Sequence, residues 1–398
     1  MTVAQERPVV RLKAGRQKRA KGGHPWVYSN EIEMDAAAKA ITPGAVVRLE
    51  TASGAPVGAA TFNPRTLIAA RLIDRDPKAA IDAGFIAGKL EAALKLREKL
   101  YPGGCYRLVH AEADGLPGLI VDRYGERAAV QANTAGMDRL LPDVLKALDA
   151  VIGPQAVVLR NDSGVRRLEG LAEEIRVAKG TLDGPTKLTE NGAQYVADLT
   201  AGQKTGWFYD QRENRALVAR LAEGARVFDL YAYAGGFAVL CAKAGAREVA
   251  AVDRSAPALA LAEESARLNG VAAACRFRRA EAFPELERLA KADEKFDIVV
   301  ADPPAFVKSK KDLAQGARGY RKLARLSAAL VAPGGFLFVA SCSHNVDRAT
   351  FDENVARGLE DANRAGRILA ATGAAPDHPV HPALPESAYL KASLIQLD

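Results

Sequence analysis

From about residue 226 onward, continuous apolar runs alternate with segments of helical periodicity. RVFDLYAY leads to FAVLCAKAG, REVAAVDRS to PALALAEESARLNG, KFDIVVADPP to GYRKLARLSAALV, and GFLFVASCS to DRATFDENVARGLEDANRAG. Strands that are apolar on both faces belong in a parallel sheet covered by helices on each side. Four such strand–helix pairs predict a doubly wound α/β domain, in which ligands sit beyond the carboxyl ends of the strands. The residues immediately after each strand are therefore the ones to read for chemistry.

The preceding sequence is organised differently. Residues 1–75 carry short apolar runs, among them VVRLE and LIAARLI, broken by turn signals such as GGHPW, TPG and FNP. A small, mostly β domain is predicted there. KAAIDAGFIAGKLEAALKLREKLY has apolar positions at helical spacing. GLIVDRYG and RAAVQAN then read as a hairpin, MDRLLPDVLKALDAVI as a helix and AVVLRN as a strand. These predict an α+β middle domain over 76–180, with GTLDGPT as the boundary and 181–398 as the third domain.

Composition removes several classes of function. With 48% hydrophobic and 26% charged residues, disorder is not expected. Cys105, Cys241, Cys275 and Cys342 are far apart and form no CxxC, so neither a zinc site nor a disulfide framework is expected. No apolar run reaches membrane-spanning length and MTVAQERPVVRLKAG lacks a secretory signal, so the expectation is a soluble cytoplasmic protein. The net charge of +7 is concentrated: residues 1–75 hold 12 Lys/Arg against 6 Asp/Glu. Arg7, Arg11, Lys13, Arg16, Lys18, Arg19 and Lys21 run without an intervening acid. Such a cluster suits phosphates, and Trp26 and Tyr28 beside it suit RNA, although a solvated basic terminus and buried aromatics fit as well.

At the strand ends, DLYAYAGGF places Asp229 before a turn with Gly235 and Gly236, and the next strand ends at Asp253. A dinucleotide site would need GxGxxG, and Asp229 would oppose a pyrophosphate. A cationic ligand carrying a ribose, such as S-adenosylmethionine, fits the acids better, while a plain tight turn stays open. FDIVVADPPAF holds Asp302 at the sheet rim, stiffened by Pro303 and Pro304. The segment after it carries Lys308, Lys310, Lys311, Arg318, Arg321, Lys322 and Arg325 against one acid, either a phosphate track or a solvated face. GFLFVASCSHN ends with Cys342 among polar neighbours, a position for a nucleophile, whereas Cys241 and Cys275 read as small core residues.

Taken together, HPWVYSNEIE, AEADGLPGLIVDRYG, ENGAQYVADLTAGQKTGWFYDQRENR, DLYAYAGGF, VDRS, DPPAF and SCS follow in the order found in a known family. Over nearly its full length the chain resembles bacterial large-subunit rRNA (cytosine-5)-methyltransferases. The resemblance implies an N-terminal PUA domain over 1–75 and a class I Rossmann-like methyltransferase domain at the C-terminus. It implies S-adenosyl-L-methionine as cofactor, no metal, and large-subunit ribosomal RNA as partner. Residue by residue, Asp229, Tyr231 and Gly235 would shape the methionine end of the cofactor pocket. Asp253 would take the ribose, Glu281 would lie near the adenine, and Arg254 and Ala282 would also bind the cofactor. Lys204, Phe208, Asp210 and Arg212 would contact or position the cofactor, Asp302 would face both methyl group and base, and Cys342 would be the nucleophile. Ala234 stands where the family often has Thr, and Glu281 where Asp is more usual.

Cytosine C5 is too weak a nucleophile to attack a methylsulfonium unaided, and a thiolate adding at C6 activates it. Uracil C5 would use the same thiol, guanine N7 would need none, and a non-catalytic assembly factor or a dehydrogenase are the further alternatives. A homodimer is left open, since no residue speaks to oligomeric state.

Overall fold

A computed structural model describes residues 7–307 and 309–398. They divide into two units: 7–184 with 198–206 and 377–387, and 185–197 with 207–307, 309–376 and 388–398. Residues 1–6 of the expected N-terminal domain, and Lys308 of the second basic segment, lie outside the described residues.

The first unit contains two five-stranded sheets. One runs in the order Val9–Arg11, Ala45–Glu50, Pro56–Phe62, Ile68–Asp74, Trp26–Tyr28. Its first pair is parallel and the rest antiparallel. The other runs Glu174–Lys179, Ala156–Asn161, Arg127–Ala132, Leu119–Tyr124, Cys105–His110. The expected hairpin is its Leu119–Tyr124/Arg127–Ala132 pair. The helix predicted from residue 78 begins at Ala83, because the Asp82 carboxylate accepts the Phe85 N–H at 3.0 Å and caps it there. Ala59 and Ile73 of the first sheet are buried in one cluster with Tyr106, Val121 and Leu148, so the two sheets share a core.

Two segments expected in the C-terminal domain belong to this first unit instead. Arg160 donates to the carbonyls of Leu199 and Gly202, at 3.1 and 2.8 Å, which fastens 198–206. The Asp377 carboxylate accepts the Arg107 N–H at 3.0 Å and its carbonyl accepts Arg97 at 3.0 Å, which fastens 377–387. Buried guanidiniums need these acceptors.

The second unit is built on seven strands: β1 (Arg226–Leu230), β2 (Glu248–Asp253), β3 (Cys275–Arg279), β4 (Phe296–Ala301), β5 (Val331–Ser341), β6 (Gly366–Thr372) and β7 (Lys391–Leu397). Their order is β3-β2-β1-β4-β5-β7-β6. The first five are mutually parallel, and β7 runs antiparallel to both β5 and β6. The α/β class and its four apolar strands are as expected from the sequence. β3 reads CRFRR and escapes the apolar pattern because it is the sheet's edge, with much of it exposed. Chain order reverses between β1 and β4, so a crevice opens at their carboxyl ends. Phe228, Leu230, Val299, Leu337 and Ile395 fill the core below it.

Candidate active site

The turn after β1 is shaped by backbone in the left-handed region. Tyr231 and Tyr233 have φ of 66° and 49°, and Gly235 follows at 78°. A Cβ on Gly235 would stand 2.9 Å from Ala262 Cβ, so this close approach requires glycine. Asp229, 1% exposed, accepts the Ala238 N–H at 3.0 Å and so ties the strand to the helix Gly236–Lys243. Burial, above all, pushes its carboxyl up to about 8, with the charges of Asp302 and Asp253 adding to the effect.

Asp253, at the end of β2, accepts N–H groups from Tyr233 at 3.0 Å and Ser255 at 2.8 Å. Arg254 is exposed, and its carbonyl accepts the Arg279 Nε–H at 3.0 Å. Glu281 precedes the helix Ala282–Lys291 as its N-cap residue, and Ala282 packs against the core. Burial raises the Tyr231 phenol, and the carboxylates of Glu281 and Asp253 act in the same direction. Asp229, Tyr231, Asp253, Glu281 and Asp302 therefore gather at one end of the sheet.

Acidic side chains in a crevice that burial makes hostile to negative charge fit a ligand bringing positive charge. S-adenosylmethionine, with an ammonium, a sulfonium and ribose hydroxyls, meets that requirement.

Phe208 packs edge-on against Tyr233, ring centroids 5.2 Å apart, and so joins the glycine turn. Asp210 is buried and accepts the Tyr389 hydroxyl at 2.6 Å. Arg212 is also buried; its Nε–H lies 3.4 Å from Glu190, which Arg215 and Trp207 bind at 2.6 and 3.0 Å. Arg212 thus holds its own segment in place. Lys204 belongs to the first unit, with φ 49°.

On the other side of the crevice, the Cys342 sulfur lies 3.9 Å from the Pro303 carbonyl oxygen, in the Asp302-Pro303-Pro304 exit of β4. Adjacent parallel strands bring the two together. A buried hydroxyl network fixes them: Tyr320 contacts Ser341 and Ser343 at 2.7 and 2.8 Å, and Ser343 accepts the Val307 N–H at 3.2 Å. Burial pushes the Cys241 thiol up, and the Cys275 thiol to about 11, consistent with packing roles. Among the described residues, no group of three His, Cys, Asp or Glu is arranged to hold a metal ion.

Three residues at this end were not signalled by the sequence. Lys391 is buried and donates to the carbonyls of Ser343, Val346 and Tyr389 at 2.7, 2.7 and 2.8 Å. Tyr389, besides binding Asp210, stacks on His344 with centroids 5.1 Å apart. Tyr320 sits mid-helix and reads as core. Apart from the Lys391–Tyr389 bond, each is remote in sequence from what it touches, and no motif marks them.

The basic segments are partly spent on structure. In the first unit, Arg7 donates to the Pro77 carbonyl, Arg11 lies 3.5 Å from Glu50, and Arg19 pairs with Glu31 at 2.9 Å while covering the Tyr28 ring. Lys13, Arg16, Lys18 and Lys21 are exposed. Trp26 donates from its indole to Glu112 at 2.8 Å. In the second segment Arg321 pairs with Asp361 at 2.6 Å and Lys322 with Glu287 at 3.0 Å, while Lys311 and Arg318 are exposed. Among the described residues, no helix is long and apolar enough to cross a membrane.

A crossover sheet with an acidic, glycine-turned crevice at its carboxyl ends is the architecture of an S-adenosylmethionine-dependent methyltransferase. Residues 176–395 match that family, and residues 10–75 match PUA-like domains. The chain is 36% identical to ribosomal RNA large subunit methyltransferase I of Aeromonas hydrophila, covering 97% of this chain and 98% of that protein. It is 34% identical to the Erwinia tasmaniensis protein of the same name, covering 96% and 97%. The chain belongs to the ribosomal RNA large subunit methyltransferase I family. Its fold is shared with SMU.776, a protein assigned as a methyltransferase and crystallised with SAH, at a TM-score of 0.83 and 20% identity, over 98% of this chain and 100% of that one.

Proposed function

We propose that the protein methylates C5 of a cytosine in large-subunit ribosomal RNA through a covalent bond between Cys342 and C6 of the base. The observation that carries this reading is the pairing of Cys342 with the Asp302-Pro303-Pro304 exit, sulfur to Pro303 carbonyl 3.9 Å, beside the acidic crevice. A guanine-N7 enzyme would have no use for a thiol at that point.

In this reading Asp229, Tyr231 and Gly235 hold the methionine end of the cofactor. Asp253 takes the ribose, Glu281 lies near the adenine, and Arg254 and Ala282 also bind the cofactor. Phe208 closes over the glycine turn, Asp210 and Arg212 position that segment, and Lys204 completes the set. S-adenosylmethionine supplies the electrophilic methyl group. Cys342, as thiolate, adds to C6, and the displaced π electrons make C5 nucleophilic. Asp302 hydrogen-bonds the base, accepting from the N4 amino group or, protonated or sharing a proton, donating to N3, where negative charge developing on the ring is then met by a donor. After transfer, the C5 proton leaves to a base, and the electrons of that C–H bond reform C5=C6 as the thiolate departs. The target must leave its stack to reach the crevice.

Residues 1–75 would supply RNA contact, 76–180 would form the middle domain and 181–398 would carry the reaction, in the cytoplasm. The exposed Lys13, Arg16, Lys18 and Lys21 support the first assignment.

The test uses labelled S-adenosylmethionine and unmodified large-subunit rRNA, with wild type beside Cys342→Ala, followed by nucleoside mass spectrometry. Label in 5-methylcytidine that vanishes in the variant is expected. Label in 5-methyluridine or 7-methylguanosine, or none at all, would replace this reading with another base or a non-catalytic role.

A further inference from the structure

Lys391 stands opposite Ser341 in the β5–β7 register, and its ammonium donates to the carbonyl of Ser343. It therefore brackets the strand end that carries Cys342, paired in register with the residue before it and bonded to the residue after it. Three carbonyl oxygens, those of Ser343, Val346 and Tyr389, surround the nitrogen at 2.7 to 2.8 Å. Carbonyls only accept, so this cage is matched to a group with three N–H donors, the protonated amine. Burying such a charge is costly unless it is both hydrogen-bonded and paired, and the carbonyls supply the hydrogen bonds but no counter-charge.

The charged and titratable groups packed around Lys391 are few. Asp347 is exposed and its carboxylate caps the helix Arg348–Asp361 through the Thr350 N–H at 2.7 Å. Arg348 is paired with Asp352 at 2.7 Å. Tyr389 gives its hydroxyl to Asp210 and stacks on His344. Two acids face this cation, Asp347 and the Cys342 thiol; Asp347 is exposed and already held by its helix cap, so the half-buried sulfur is the acid whose ionisation the cation serves most. Burial, the largest influence, pulls Lys391 down to about 8, and the Cys342 charge works against that pull.

We infer that Lys391 is a positioning residue for the nucleophile, a fixed cation that keeps Cys342 in its reactive thiolate form while its carbonyl bonds hold the Ser341–Ser343 strand end in place. The assignment rests on the proposed role of Cys342 in methyl transfer. It gives the buried lysine a purpose in the reaction: a thiolate attacks far faster than a thiol, and a nearby cation raises the thiolate fraction at neutral pH.

The experiment measures iodoacetamide alkylation of the Cys342-containing peptide against pH, by mass spectrometry, with the Cys241 and Cys275 peptides as internal controls. In the unmutated protein, Cys342 should reach half its maximal rate at a lower pH than glutathione does. Lys391→Gln keeps two N–H donors for the carbonyls but no charge, and Lys391→Met keeps neither. Both should move the Cys342 profile to higher pH and slow alkylation at pH 7 by about tenfold, the effect of one pH unit, with the control peptides unmoved. A folded Lys391→Gln with the wild-type profile, or a wild-type Cys342 no more reactive than glutathione, would overturn the inference. Methyl transfer by Cys342→Ala separates the two ideas. Surviving activity there, with a shifted profile in Lys391→Gln, removes the nucleophile assignment and leaves Lys391 as the cation that tunes the thiol.

Discussion

The Asp253 carboxylate accepts the backbone N–H of Tyr233 at 3.0 Å across the crevice floor, and so the end of β2 sets the shape of the turn after β1. Its other oxygen accepts the Ser255 N–H at 2.8 Å, at the cap of the next helix. One carboxylate therefore both shapes the glycine turn and faces the proposed ribose position. Asp253→Asn keeps the size and loses one strong acceptor. Hydrogen bonds to a charged group are worth roughly 1.5–3 kcal/mol, so cofactor affinity should fall about 10- to 100-fold, and the melting temperature should fall as well because the new amide NH2 faces the N–H of Tyr233 or Ser255. Calorimetric titration with S-adenosylmethionine checks this, and unchanged affinity would confine Asp253 to shaping the turn.

Asp229 makes stability depend on pH. Its carboxyl is raised from 3.8 to about 8 in the folded chain, chiefly by burial. The folded state therefore holds a proton that the unfolded state has released. This contribution is fully present below the unfolded value and is lost as pH rises through the folded one. The melting temperature of the apoprotein should fall from about pH 4 to 8, and Asp229→Asn should flatten that decline. Cofactor binding at neutral pH should also release a proton, read from calorimetry in buffers of different ionisation enthalpy.

Gly235 is committed by two constraints, a φ of 78° and a would-be Cβ 2.9 Å from Ala262. Gly235→Ala should destabilise the protein by about 1–3 kcal/mol and abolish cofactor protection against thermal unfolding. Gly270, also at positive φ but with open space around it, is the control position: Gly270→Ala should cost less and leave cofactor binding intact.

Tyr320 joins the ends of β4 and β5 through Ser341 and Ser343. Tyr320→Phe leaves two buried hydroxyls short of a partner, a loss of about 1–3 kcal/mol. Because Ser343 also receives the Val307 N–H, kcat for methyl transfer should fall while the KM for S-adenosylmethionine holds. A lowered melting temperature with unchanged kcat would confine Tyr320 to packing.

Removing residues 1–75 is a poor test of RNA binding, because Ala59 and Ile73 are buried in the same core as Tyr106 and Val121. Changing Lys13, Arg16, Lys18 and Lys21 together to Ala leaves that core alone. RNA affinity should fall, and its logarithmic salt dependence should flatten by up to about 0.7–0.9 for each phosphate no longer neutralised. An unchanged salt slope would make these four side chains ordinary solvated surface.

The sequence by itself determined the α/β class of the second unit and the places where chemistry could occur. A strand buried on both faces must be apolar throughout, so β1, β2, β4 and β5 announce themselves, and Asp229, Asp253, Asp302 and Cys342 follow directly from where those runs stop. The edge strand β3 was hidden for the converse reason, since solvent on one side tolerates its arginines. Tertiary structure alone decided which distant residues serve these ends. Lys391 reaches Ser343 only because β7 enters antiparallel between β5 and β6, and Tyr389 meets Asp210 across 179 residues of chain. Period and turn chemistry report on neighbours a few residues apart. Long-range pairing is set by how the sheet closes its core, and a lone lysine or tyrosine in sequence carries no mark of it.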